Sequence, residues 1–166
     1  DKYRKVCSEA SKRTFFGEVM GYHRGDDVRI GELFFRPSTT LQLREKRNYL
    51  RGVDCYVIEA DVPGNGNYTD WIAPVHDFHI ARIRVRRESG DRTGPLILEE
   101  NTTWKDSFEV LEFQKISDAW FPKTCKMKKD CKTIDSYSNH QKEISITMIK
   151  LDPDHDILGS FLPDDI

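Results

Sequence analysis

The sequence predicts a mainly β protein, an antiparallel sheet with one or a few short helices, and three observations point to it. Apolar and polar residues alternate with period two along most of the stretch from Leu41 to Leu151. Turn formers interrupt that alternation roughly every 8 to 12 residues, the spacing of a sandwich, a barrel or a curved open sheet. Hydrophobic residues are only 37% of the 166 and charged residues 33%, so the apolar set is spread over amphipathic strands. A parallel sheet buried on both faces is thereby disfavoured.

Residues 1 to 13 are charged and without a clear period. The run TFFGEVM, Thr14 to Met20, reads as a strand, and GYHRGD at 21 to 26 as a turn. Asp27 is placed to cap a short helix in which Ile30, Leu33 and Phe34 fall at i, i+3 and i+4, and Pro37 ends it. Strands are then expected at TLQLREKRNYL (40 to 50), VDCYVIEA (53 to 60) and YTDWIA (68 to 73), with PGNGN at 63 to 67 as a turn. FHIARIRVRR sets Ala81, Ile83 and Val85 on one face and Arg82, Arg84 and Arg86 on the other. Further strands are expected at Leu96 to Trp104, Phe108 to Ile116, Ala119 to Met127 and Glu143 to Leu151, joined by turns such as KDS (105 to 107) and SDA (117 to 119). The length fits one domain, residues 1 to 166.

A net charge of −2, from 26 basic and 28 acidic residues, supplies no overall field to hold a nucleic acid or an anionic membrane. No run reaches the roughly 18 apolar residues of a membrane helix, and DKYRKVCSEASKR has no apolar signal core, so any export signal is expected to have been removed. Of Cys7, Cys55, Cys125 and Cys131, only the last two are close in sequence. Their spacing across KMKKD suits a hairpin disulfide, with two free thiols as the alternative.

Four pieces of the chain resemble the bacterial outer-membrane lipoprotein-sorting (LolA-like) carriers. They are GVDCYVIEA at 52 to 60, YTDWIAP at 68 to 74, ISDAWFPKTCKM at 116 to 127 and LDPDHDILGSFLPDDI at 151 to 166, and they fall in the family's order. The resemblance covers about residues 41 to 166. It implies a strongly curved antiparallel sheet, a LolA/LolB-like half-barrel whose concave face takes acyl chains, and an exported, periplasmic location. Only 40 residues precede the matching region where full members have a longer N-terminal portion, so a truncated or reduced version is expected.

No catalytic motif comes with that resemblance, and none stands out in the residues. His76, Asp77 and His79 invite a metal reading, but on a strand His-x-x-His sends its rings to opposite faces. His23, His140 and His155 are isolated, DPDHD and PDDI lack an EF-hand's central Gly and terminal Glu, and there is no Gly-x-Ser-x-Gly elbow or phosphate loop. Neither a metal nor a cofactor is expected. The stripe Arg82, Arg84, Arg86, with Arg87 beside it, reads first as a solvated face balanced by Glu99, Glu100, Glu109 and Glu112, and second as a surface for an acidic partner or for lipid head groups at a peripheral membrane contact.

Aromatic residues are the more informative class. Tyr56, Trp71, Phe78, Trp104, Phe113, Trp120 and Phe121 are distributed over several expected strands, and in a half-barrel such rows form an apolar trough. The expected lining is Tyr56, Trp71, Trp104, Phe113 and Trp120. The function expected is that of a monomeric, non-enzymatic carrier holding an acyl chain, a lipid or a lipid-modified protein. The alternative is an envelope-regulatory or protein-interaction module of the same fold.

Overall fold

The computed structural model describes residues 29–45 and 47–147. The expected strand at Thr14 to Met20, the turn at 21 to 26, Cys7, His23, His155 and the matching segment 151 to 166 lie outside the described residues. Strands make up 64% of what is described. The first element, helix α1 (Ile30–Phe34), begins with Arg29 at the N-cap and no side-chain cap bond, so Asp27 does not hold that position. Its buried Ile30 and Leu33 are the i, i+3 pair read from the sequence. Thr39 Oγ1 donates to the Leu33 carbonyl at 2.7 Å and closes the turn that Pro37 begins.

Ten strands follow: β1 (Thr40–Leu43), β2 (Asn48–Leu50), β3 (Val53–Val62), β4 (Gly66–Ala73), β5 (His79–Arg87), β6 (Arg92–Thr93), β7 (Leu96–Ile97), β8 (Thr103–Ile116), β9 (Ala119–Lys132) and β10 (Tyr137–Ser145). The main sheet is antiparallel and runs β1-β3-β4-β5-β8-β9-β10, with β2 paired to β3 beyond the end of β1. It is open, β1 and β10 being its edges, and it is not strongly curled.

Four expectations about elements change. The run 40 to 50 is two short strands, both paired with β3; between them Arg44 still donates its backbone N–H to the Val57 carbonyl at 2.9 Å and its side chain pairs with Glu59. Leu96 to Trp104 is not one strand; β6 and β7 form a separate two-stranded ribbon, and β8 begins only at Thr103. KDS is not a turn: Lys105, Asp106 and Ser107 lie inside β8, where period-two burial continues through the polar residues. The strand expected at Glu143 to Leu151 starts earlier, at Tyr137.

Cys125 and Cys131 sit on one strand, β9, both on the same face. Six residues of extended chain place them roughly 20 Å apart, well beyond disulfide reach, so the local bridge is not formed. The sequence distance suggested a hairpin, but the charged KMKKD segment is a continuous strand.

The pleat divides the sheet into two faces. On the helix face, Ala60, Val62, Tyr68, Ile83 and Val85 pack under α1, and Phe108, Val110, Cys125 and Met127 continue the core. Four charged side chains are buried on that same face: Asp70, Arg87, Asp106 and Lys129. Arg87 Nη2 donates to Tyr68 Oη at 3.0 Å and its Nε to the Asn65 carbonyl at 2.9 Å. The opposite, arginine face carries Arg82, Arg84 and Arg86, and beside them a second apolar cluster of Leu50, Cys55, Val57, Trp71, Ala73 and Ala81. Ala81 joins that cluster through a β-bulge: Trp71 opposes Arg82 and Ile72 opposes Ile80, leaving Ala81 as the extra residue.

Gly66 opens β4 at φ +101°, and a Cβ there would lie 2.4 Å from the Arg86 carbonyl oxygen. Both the left-handed backbone and the close approach of β5 therefore require glycine. Gly66→Ala is expected to cost about 2–4 kcal/mol, measured by urea unfolding. A loss below about 0.5 kcal/mol would mean that β4 and β5 separate at this point without penalty.

Candidate functional site: an aromatic and histidine corner

The β4–β5 connection is built from PVHDF. Pro74 opens a single 3-10 turn, Pro74–His76, and the chain then passes through two left-handed residues, Asp77 at φ +54° and Phe78 at φ +58°. Asp tolerates this region, whereas for a bulky aromatic residue it costs about 1–2 kcal/mol. Asp77 is held by its carboxylate, which accepts the backbone N–H of Trp120 at 3.2 Å and so ties the connection to the start of β9. The price of the strain falls on Phe78, whose ring is left 65% exposed beside Val75 at 62%.

The two histidines of this connection pack into an aromatic group. The His76 ring stacks on Phe113 at 4.1 Å and 23°, and meets Trp120 edge-on at 4.6 Å and 69°. His79 lies 6.4 Å from both Phe113 and Phe121. Phe113, Trp120 and Phe121 are each half-buried. They are brought here by the β8–β9 hairpin, whose two-residue turn Ser117–Asp118 has Ser117 at φ +54°, and by register shifts near Glu112 that seat Pro122 opposite Phe113.

Nδ1 of His76 is buried and makes no hydrogen bond among the described residues. Burial, and then the nearby charge of His79, push its pKa below the ordinary histidine value, with Asp77 opposing. The neutral ring is therefore favoured. With aromatic carbon on two sides and neither a nucleophile nor a carboxylate bonded to the imidazole, the arrangement suits contact with an apolar group better than proton transfer. Among the described residues no three His, Cys, Asp or Glu side chains converge as a metal site.

The five residues expected to line one trough do not meet. Phe113 and Trp120 belong to the corner. Tyr56 is half-buried on the helix face of β3, its ring under the Arg47 guanidinium at 4.4 Å and its hydroxyl bonded to Arg47 Nη2 at 2.7 Å. Trp104 is on the helix face but only 1% exposed, with Lys129 Nζ 3.9 Å from its ring. Trp71 points to the arginine face, packed by the guanidiniums of Arg82 at 5.5 Å and Arg84 at 5.3 Å. Tyr56 has half-buried or exposed apolar company, Leu43, Ile58 and Ile72, on its own face.

Of the acidic residues expected to balance the arginine stripe, Glu109 does so. It accepts from Arg82 Nε at 3.0 Å and from Arg51 Nε at 2.7 Å, Arg51 reaching over β4 and β5 from the β2–β3 turn. Partial burial pushes the Glu109 pKa up, but the two guanidiniums outweigh it and hold the carboxylate below its usual range. Glu112 pairs with Lys123 instead, and Glu99 and Glu100 lie in the turn before β8. The metal reading that His76 and His79 invite is disfavoured already in the sequence, and it is their aromatic neighbours, distant in sequence, that set their surroundings.

Comparison with protein-family models, with curated proteins and with solved structures found no match.

Because the folded pKa of His76 is depressed, its neutral form contributes stability that is present above the ordinary value of about 6.5 and is lost as pH falls through the folded value. Urea unfolding at about pH 7.5 and about pH 5.5 is expected to show a larger acid loss for the natural chain than for His76→Phe, which keeps a ring but not the proton. Equal losses would place the acid sensitivity elsewhere.

Proposed function

We propose that this chain is a non-enzymatic, exported carrier-type protein that holds an acyl chain, a lipid or a lipid-modified partner, its sheet serving as an incomplete barrel of the LolA-like kind. The observation that carries this proposal is the corner at the end of β4 and β5. There Val75 and Phe78 are exposed in the same connection whose His76 and His79 pack on the half-buried rings of Phe113, Trp120 and Phe121, and Phe78 occupies a strained backbone position. Backbone strain that presents an apolar ring to solvent costs folding energy, and an apolar ligand is what would recover it. Covering a chain of methylenes contributes about 0.8 kcal/mol each before ordering costs, so a partly covered acyl chain would bind usefully. The order of the four family-like sequence pieces supports the same reading.

A second reading, a protein-interaction module, is favoured by one observation. Edge strand β1 is exposed along its whole length and carries Leu41 at 45% and Leu43 at 60%, which suits addition of a partner strand.

Phe78→Gly separates these readings, because glycine relieves the left-handed strain while removing the ring. The variant is expected to keep its stability or gain up to about 1 kcal/mol, yet to bind a fluorescent acyl probe about tenfold more weakly, as is Trp120→Ala. Titration of delipidated protein, with native mass spectrometry for retained lipid, is the measurement. No saturable probe binding by the natural chain removes the carrier reading and leaves the module reading ahead.

A further inference from the structure

The strand register gathers basic side chains that the sequence distributes over three segments. On the arginine face of β5, β8 and β9, Arg84, Arg86, Lys105, Lys126, Lys128 and Lys132 lie on neighbouring strands, and all but the half-buried Lys126 are exposed. The carboxylates near them are Glu88, Asp130, Glu143 opposite Lys126 on β10, and Asp61 on β3, two strands from Arg86. The six cations against these four carboxylates leave a surplus of two positive charges within a chain whose net charge is −2. Arg51, Arg82 and Glu109 beside it add one more. Arg86 stands directly opposite Lys105, an apposition of like charges that costs energy in an isolated sheet and is relieved by an external anion. Arg86 shares its charge with Glu88 at 2.7 Å, and Asp130 is already engaged by Lys128, Tyr137 and Asn139. Arg84, Lys105, Lys126 and Lys132 take no ion pair among the described residues.

We propose that this face docks the protein on an anionic lipid bilayer. A bilayer fits the patch better than other polyanions do, because the cations are spread in two dimensions over strands about 4.8 Å apart and do not follow a groove. Bases would find no row of stacking platforms: Trp71 on this face is 5% exposed beneath Arg82 and Arg84, and the exposed ring of Tyr137, opposite Lys132, stands on edge strand β10 with its hydroxyl bonded to Asp130. The patch also continues along β5 toward the turn that exposes Val75 and Phe78, so apolar side chains stand at one end of the basic face, as at a headgroup boundary. Docking is a charge effect and does not depend on the acyl-binding proposal; the two are read by separate measurements.

The test is co-sedimentation of the whole chain with phosphatidylcholine vesicles, with and without phosphatidylglycerol. Binding is expected only with phosphatidylglycerol, falling about tenfold or more from low to physiological salt. Lys105→Gln and Lys128→Gln, both at exposed positions, are each expected to weaken it roughly fivefold. Lys142→Gln, the same change on the helix face of β10, should leave it unaltered. Equal binding to pure phosphatidylcholine, or equal effects of all three substitutions, overturns the proposal. So does tighter binding to polyglutamate or to an oligonucleotide than to the anionic vesicles at matched charge, which would assign the face to an acidic protein or a nucleic acid.

Discussion

The antiparallel ladder between β8 and β9 decides where most of the chemistry of this molecule can sit. Its register runs from Thr103 opposite Lys132 to Ile116 opposite Ala119, and side chains alternate with period two from Thr103 to Val110 and from Cys125 to Lys132, up to the register shifts near Glu112. A slip of one residue in β9 would carry Lys126, Lys128 and Asp130 to the helix face and expose Cys125, Met127 and Cys131. Burial therefore fixes the register, and the register in turn places the basic side chains of β8 and β9 next to the arginines of β5. The far end of the same hairpin delivers Phe113, Trp120 and Phe121 to the β4–β5 connection. Both surfaces to which a function is proposed here are consequences of one pairing.

The helix face carries a cost that the pairing imposes. Asp70, Arg87, Asp106 and Lys129 lie at period-two positions among buried apolar residues, and removing such charges from water costs several kcal/mol per ion. The arrangement offsets this locally. Asp106 is the direct cross-strand partner of Lys129, Lys129 lies over the Trp104 ring, and Arg87 donates through Nη2 to Tyr68 and through Nε to the Asn65 carbonyl. Buried charges of this kind contribute less to net stability than an apolar row of equal volume would. What they add is geometric specificity: a guanidinium that must meet both Asn65 and Tyr68 holds the β4 hairpin and β5 in one alignment.

Much of this was legible in the sequence, for identifiable reasons. Alternation predicted β3, β4 and β5 nearly to their ends, because hydrophobic residues and Gly-rich turns agree there, and the Ile30, Leu33, Phe34 spacing predicted α1. Where polar residues continue a strand, the reading failed: Lys105 to Ser107 looked like a turn, and KMKKD looked like a hairpin loop, although both lie inside long strands whose burial is set by neighbours. Arg87 was available as a signal, since with Arg86 on the arginine face its adjacent residue has to face the core. The trough was misjudged for a different reason. Strand parity alone separates Trp71 from Tyr56 and Trp104, but register shifts at the Ala81 bulge and near Glu112 reset the parity that would place Phe113 and Trp120, and bulges leave little trace in a sequence.

The two proposed surfaces would act over different ranges, which gives their combination a physical logic. Charge on the arginine face is felt across about one Debye length, roughly 8 Å at physiological salt, whereas contact of Phe78 or Trp120 with an acyl chain begins only when water is expelled between them. On these two proposals, the protein approaching an anionic bilayer would first be held and oriented by Arg84, Arg86 and the lysines of β8 and β9, and only then bring an apolar corner to the headgroup boundary. Residence afterwards depends on apolar area, which salt does not weaken. Because β5 carries the arginines at one end and leads back to the strained turn at the other, orientation by charge is transmitted along a single strand to the place where an apolar ligand would be taken up or released.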